Sequence, residues 1–287
     1  MHRYPTTRMA ASLRYQHLTR QRQDPTVAAI VALLGEPERV ARRIAQASYV
    51  QNLAFEADYD WLARASPEAA AARLAHINFP RASELTEALT GRRQPLLLAT
   101  LHMGHYLPAL LRCVQHIPQL QELAVITRPA RSAREDAACR HLPAGVRVNI
   151  LRLQDRPLRS ALATLRAGGV LLTMIDVPPS FGRLKTAPTA LLGHPAHLPV
   201  GPATIAVSAG AIVLPLATWP EGRTDTLDCA ALVDARPRRG ESRHSATARV
   251  HAALAAQVST WIRGRPGAWM LWGHVGAYYG SSADPAG

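Results

Sequence analysis

From residue 95 onward, short apolar runs alternate with segments of helical period. PLLLATL (95–101), ELAVI (122–126), VRVNIL (146–151), VLLTMI (170–175), AIVLPLATW (211–219) and TLDCAALV (226–233) all have strand length. Between them, residues 105–116, SAREDAACRHL, RPLRSALATLRAG and GPATIAVSAG read as helices, the third stopped by Gly168 and Gly169. SATARVHAALAAQVSTWIRG closes the pattern as a long helix. Apolar strands spaced by helices predict an α/β body, a mostly parallel sheet covered on both faces. Residues 176–200 carry several prolines and polar residues and read as a long loop of the functional kind.

The first third has a different texture. After Pro37 a helical pattern runs on with apolar residues at Val40, Ile44, Tyr49, Leu53, Tyr59 and Leu62. Pro67 opens a further short helix, and Gly91 ends the one holding Leu85 and Leu89. The chain thus divides into a helical N-terminal portion (1–92) packed on an α/β body (93–287), together one structural domain. Met9, Leu13 and Leu18 fit either a weak basic amphipathic helix or a surface-packed terminus. TVAAIVALLG (26–35) is about half as long as a membrane crossing requires, and no signal-peptide core follows the basic start. No internal repeat is present.

Composition narrows the partners. With 287 residues and 48% hydrophobic content the chain can bury a large core, but aromatics are only 5%, so aliphatic side chains must fill it. The formal charge is +13, almost all from arginine, because Lys185 is the single lysine. Such a field attracts nucleic acid, anionic lipid or an acidic protein. A basic run with interleaved aromatics is missing, which argues against a nucleic-acid groove. Cys113, Cys139 and Cys229 are odd in number and share no short spacing. That excludes a disulfide framework or zinc finger and suits buried thiols in the cytoplasm.

The candidate chemistry centres on LLATLHMGHYLPAL (97–110), an apolar stretch holding His102 and His105. His102 falls just past a strand, and Gly104 allows a tight turn into the next helix. In open α/β sheets ligands collect beyond the carboxyl ends of the strands. A helix N-terminus disfavours the imidazolium, leaving a neutral ring suited to general-base work. The same histidine also fits a core residue bonded to a backbone carbonyl. Asp176, at the end of the fourth strand, reads equally as an acid–base partner or as a turn residue before two prolines. H-M-G-H (102–105) and H-P-A-H (194–197) are two H-x2-H pairs that Asp176 would complete as a zinc or iron site, although no strict metal motif occurs.

TLHMGHYLPAL resembles the His-x4-acid segment of the lysophospholipid acyltransferase superfamily, and within it the bacterial lipid A late acyltransferases. RRIAQASYVQNLAFE (42–56), GGVLLTMIDVPPS (168–180), LLGHPAHLPVGPATIAVSAGAIVLPLATW (191–219) and RPGAWMLWGH (265–274) resemble further pieces of that family in the same order. The resemblance implies an α/β acyltransferase that moves an acyl group from a carrier thioester to a hydroxyl or amine, without a cofactor, with His102 as general base. Substrate contacts are expected at Gly193, His194, His197 and Gly201 of the similar segment, while Arg183 and Lys185, on the same loop, would supply the cation missing from it. His105 stands where the family has Asn, as a residue that tunes or relays protons for His102, and His194 where it has Arg. Leu107 stands at the family's acidic position, a loss that Asp176 would have to make good as third member of the catalytic set. The partners implied are an acidic acyl carrier protein, suited to the positive charge, and a small-molecule acceptor. Three other readings remain open: a peripheral membrane acyltransferase held to anionic lipid, a non-catalytic carrier-binding protein, and a histidine-based metal enzyme.

Overall fold

The computed structural model describes residues 24–279, apart from positions 93, 128–131, 156, 183 and 223. The reading of Met9, Leu13 and Leu18 lies outside the described residues. Helix α1 (Pro25–Leu34) is capped by Asp24, whose carboxylate accepts from the Thr26 N–H at 2.9 Å, and stops at Gly35. Next come α2 (Glu38–Leu62), α3 (Pro67–Ala75), β1 (Ile77–Asn78) and α4 (Ala82–Leu89). The body continues through β2 (Leu96–Thr100), α5 (Tyr106–Val114), β3 (Glu122–Thr127), α6 (Ser132–Cys139), β4 (Arg147–Arg152), α7 (Leu158–Arg166) and β5 (Val170–Met174). After it follow β6 (Thr186–Leu191), β7 (His194–Pro199), α8 (Gly201–Ala209), β8 (Ile212–Glu221), β9 (Thr224–Cys229), β10 (Val233–Asp234) and α9 (Arg243–Gly264).

The main sheet has the order β1-β9-β8-β2-β5-β3-β4, with β10 also pairing β8. Strands β8, β2, β5, β3 and β4 run parallel, while β9 and β10 run antiparallel to β8. The fold is therefore α/β around a mostly parallel sheet, as the apolar runs predict. Because side chains alternate across a strand, β2 feeds two cores at once. Leu97 and Ala99 join α1, the first half of α2, α8 and α9 on one face; Leu96 and Leu98 join α3, α4 and α5 on the other. All five β2 residues are buried, which is why the run shows no polar alternation. β4 lies at the edge and keeps alternation, exposed at Arg147, Asn149 and Arg152.

Helix α2 belongs to both cores. Ala41, Ile44 and Ala45 pack on one side of the sheet, and Phe55, Tyr59 and Leu62 on the other. At 25 residues it spans roughly 37 Å, enough to cross the sheet's end. The portion before residue 92 is mainly helical but also supplies β1, paired parallel to β9.

Two local expectations need correction. The stretch 176–200 is not one loop: β6 and β7 form an antiparallel hairpin standing as its own two-stranded sheet against α9. Pro188, Pro195 and Pro199 hide it from a sequence reading, yet an isolated hairpin is all edge and tolerates them. The run 226–233 likewise divides into β9 and β10, both paired with β8.

Candidate active site

The register of β2 and β5 builds the site. Thr100 pairs with Met174, and both strands end there at the same edge. Two residues further along each chain stand His102 and Asp176. The Ile175 N–H donates to the Thr100 carbonyl at 2.8 Å and keeps the two chain ends together. His102 then meets Asp176 twice: its backbone N–H donates to Oδ2 at 2.9 Å, and its Nδ1 lies 2.8 Å from Oδ1. The Asp176 carboxylate is buried, whereas the imidazole keeps 20% of its surface open. With Nδ1 turned to the carboxylate, Nε2 is the nitrogen left for a substrate.

His102 sits beside an apolar cavity of about 450 Å³ over the carboxyl ends of β3 and β5. Leu107, Leu110 and Leu111 of α5 form one wall, Leu123 and Val125 of β3 the floor with Leu172 of β5, and Leu158 with the start of α8 the far side. The Tyr106 ring meets the imidazole edge-on, 5.7 Å between centroids. Lys185 and Gly201 also line the cavity. Such a volume and lining suit an apolar ligand.

A strap from the end of the chain closes the site from behind. Residues 268–270 run beside the His102–Gly104 turn: the Gly104 N–H donates to the Ala268 carbonyl at 3.0 Å, and the Met270 N–H donates to the His102 carbonyl at 2.9 Å. Gly104 is required there, at φ 57°, because a Cβ would lie 2.4 Å from the Thr218 carbonyl oxygen. The Trp269 indole N–H donates to Asp176 Oδ2 at 2.9 Å, and the Tyr278 hydroxyl donates to the Asp176 backbone carbonyl. Burial, then the nearby Asp176 charge, pushes the Tyr278 phenol well above its ordinary value, so it stays a donor. From α2, Ser48 Oγ donates to the Trp269 carbonyl at 2.6 Å.

The remaining sequence candidates divide. His105 is buried, and its Nδ1 lies 2.9 Å from Oδ2 of Asp58 on α2. Arg73 donates to the same Asp58 carboxylate and to Asp225. Gly193 is the second residue of the two-residue β6–β7 turn, at φ 81° after Leu192 at φ 53°, so the turn itself requires a glycine there. His194 and His197 lie in β7 and do not line the cavity. Three apart in a strand, they face opposite sides and make no metal pair. Among the described residues no group of three His, Cys, Asp or Glu side chains converges as a metal site. Arg183 lies outside the described residues.

Cys113, Cys139 and Cys229 are buried and form no disulfide among the described residues. Among the described residues no helix is long and apolar enough to cross a membrane. Sequence reasoning gave no role to Ser48, Asp58, Trp269 or Tyr278, whose partners lie 47 to 221 positions away, beyond any motif spacing. No protein-family model matches the chain, and no curated protein matches it significantly.

Proposed function

We propose that this chain is an acyltransferase of the cytoplasm that takes an acyl group from a carrier thioester, on acyl carrier protein or coenzyme A, and passes it to a hydroxyl or amine of a small acceptor. One observation carries the reading: a histidine oriented by a buried aspartate stands beside a large apolar cavity. An imidazole so held is a general base, and an apolar cavity of this size suits an acyl chain better than a polar substrate. Asp176 takes the orienting role that the resemblance assigns to position 107, where Leu107 belongs to the cavity wall instead.

The chemistry follows from the geometry. Nε2 of His102 accepts the acceptor's proton as its oxygen or nitrogen attacks the thioester carbonyl. Collapse of the tetrahedral adduct breaks the carbon–sulfur bond, and the departing thiolate recovers the proton from Nε2. The Asp176 carboxylate faces Nδ1 and stabilises the imidazolium formed between the two steps. Lys185 at the cavity supplies a cation for the acidic carrier or its phosphopantetheine phosphate.

The test is intact-mass spectrometry of acyl carrier proteins bearing acyl groups of graded length, mixed with the protein and a pool of amines and alcohols. Loss of acyl mass from the carrier, with a matching ester or amide that His102→Ala abolishes, supports the reading. Transfer at equal rate by the mutant removes His102 from the chemistry. Donors left intact under every pairing, coenzyme A thioesters included, refute the reading.

A further inference from the structure

The Asp176 carboxylate is more tightly held than its pairing with His102 alone requires. Oδ1 faces Nδ1 of the imidazole, while Oδ2 accepts from both the His102 backbone N–H and the Trp269 indole N–H, each at 2.9 Å. A carboxylate bound through one oxygen turns easily about its Cβ–Cγ bond. Two donors on Oδ2 stop that rotation and fix where Oδ1 points. The Trp269 indole is itself immobile: its side chain is fully buried, its carbonyl accepts from Ser48 Oγ, and its ring meets Trp272 edge-on with centroids 5.0 Å apart. The same strap is hydrogen-bonded on both sides of Trp269 to the turn that carries His102. The acceptor-holding donor and the base are thus parts of one rigid unit.

We propose that Trp269 is the positioning residue of the dyad. Its indole N–H locks the Asp176 carboxylate so that His102 carries its proton on Nδ1 and presents the Nε2 lone pair to the cavity. This deepens the acyltransferase reading and rests on His102 acting as the base. The tautomer, however, is a property of the free protein and is measured without any substrate. An Asp176 that lost this lock would still be buried, but Oδ1 would sample orientations that leave Nδ1–H poorly paired. The Nε2–H tautomer, useless as a base toward the cavity, would then be populated.

The experiment is nitrogen NMR of protein labelled with ¹⁵N-histidine, at a pH where the imidazole is neutral, with His102→Gln identifying the signals. The parent protein should show Nδ1–H almost alone. Trp269→Phe should lower the ratio of Nδ1–H to Nε2–H about tenfold, the scale of one hydrogen bond to a charged acceptor. Benzothienylalanine at position 269, which keeps the ring shape and replaces the N–H with sulfur, should do the same and covers the case in which Phe packs badly. Trp261→Phe is the control. That indole is also buried but donates to Asp228 Oδ2, 3.0 Å away, so the ratio should not move. A parent ratio unchanged in both position-269 variants overturns the proposal, as does an equal shift in Trp261→Phe. If the ratios behave as stated but no thioester ever reacts, the proposed reaction fails while the positioning role stands.

Discussion

Replacing Arg73 with methionine should destabilise the protein more than any surface substitution, by about 3–5 kcal/mol, the scale for breaking a buried ion pair. Arg73, Asp58 and Asp225 expose 8%, 1% and 8% of their side chains. The guanidinium reaches Asp58 through Nε at 3.4 Å and a terminal nitrogen at 3.1 Å, and also binds Asp225. Burial alone would lower the arginine's pKa; Asp58 first and then Asp225 outweigh it, so the group is held charged more firmly than in water. Methionine fills similar volume but leaves two buried carboxylates facing each other's surroundings. Asp58 keeps the His105 ring at 2.9 Å, so the larger share of the cost falls at Asp225. Urea unfolding followed by tryptophan fluorescence reads the loss as a lower midpoint at constant slope. Adding Asp225→Asn to the methionine variant should recover part of it, since one stranded charge is gone. The cluster links α2, α3, β9 and the start of α5, so amides of residues 67–78 should also exchange faster. A loss below about 1 kcal/mol, the value of an exposed pair, would refute the reasoning.

Stability should fall on acidification. Burial, only partly opposed by the Ala187 carbonyl, lowers the His251 pKa, and burial with Arg112 lowers that of His116. Each group binds a proton more readily when unfolded, so its contribution is complete above about 6.5 and is lost as pH falls below that value. Melting temperatures at pH 5 and pH 7.5 measure the slope, which His251→Gln should flatten. Gly104→Ala, with its Cβ 2.4 Å from the Thr218 carbonyl, should push the His102 turn aside and reduce acyl transfer about 100-fold, as ångström-scale misplacement does; near-parental turnover would contradict this. Leu107→Asp should fail to rescue Asp176→Asn, because its carboxylate would enter an apolar cavity rather than reach Nδ1; recovered transfer in the double variant would show that position 107 can still orient the base.

The sequence made the sheet legible because its central strands are buried on both faces, and unbroken apolar runs such as LLLAT have few other homes. Helix limits were legible where the punctuating residue is local, as at Pro67, which opens α3, and Gly168, which follows the end of α7. The β6–β7 hairpin was not, since it pairs with nothing but itself and carries three prolines. At the site, His102 and Asp176 could each be singled out as polar residues ending apolar strands. That they meet depends on β5 lying next to β2, although β3 and β4 intervene in the sequence, and on the Thr100–Met174 register. Strand order is a property of how the helices cover the sheet, and no short window of sequence holds it. His105 stood out as a tuner or relay because only three positions separate it from His102. Asp58, 47 residues earlier, accounts for Nδ1 of its ring.

On the proposed reading, an orienting acid at position 176 rather than 107 has a structural logic. A carboxylate on α5 at position 107 would have to be both near the base and inside the wall of the cavity, where burial without a partner is costly. Supplying it from the end of β5 moves the charge behind His102, where a backbone N–H, an indole N–H and the imidazole can all meet it. Position 107 is then free to be apolar, and α5 presents Leu107, Leu110 and Leu111 to the ligand space as one surface. The arrangement depends on the strap at residues 266–279, because both Trp269 and Tyr278 hold Asp176 from there. Removing the chain after Gly264 should therefore abolish the Nδ1–H preference of His102 along with transfer, even if the sheet survives. A truncated protein that folds and keeps a single His102 tautomer would show that β2 and β5 alone are enough to fix the dyad.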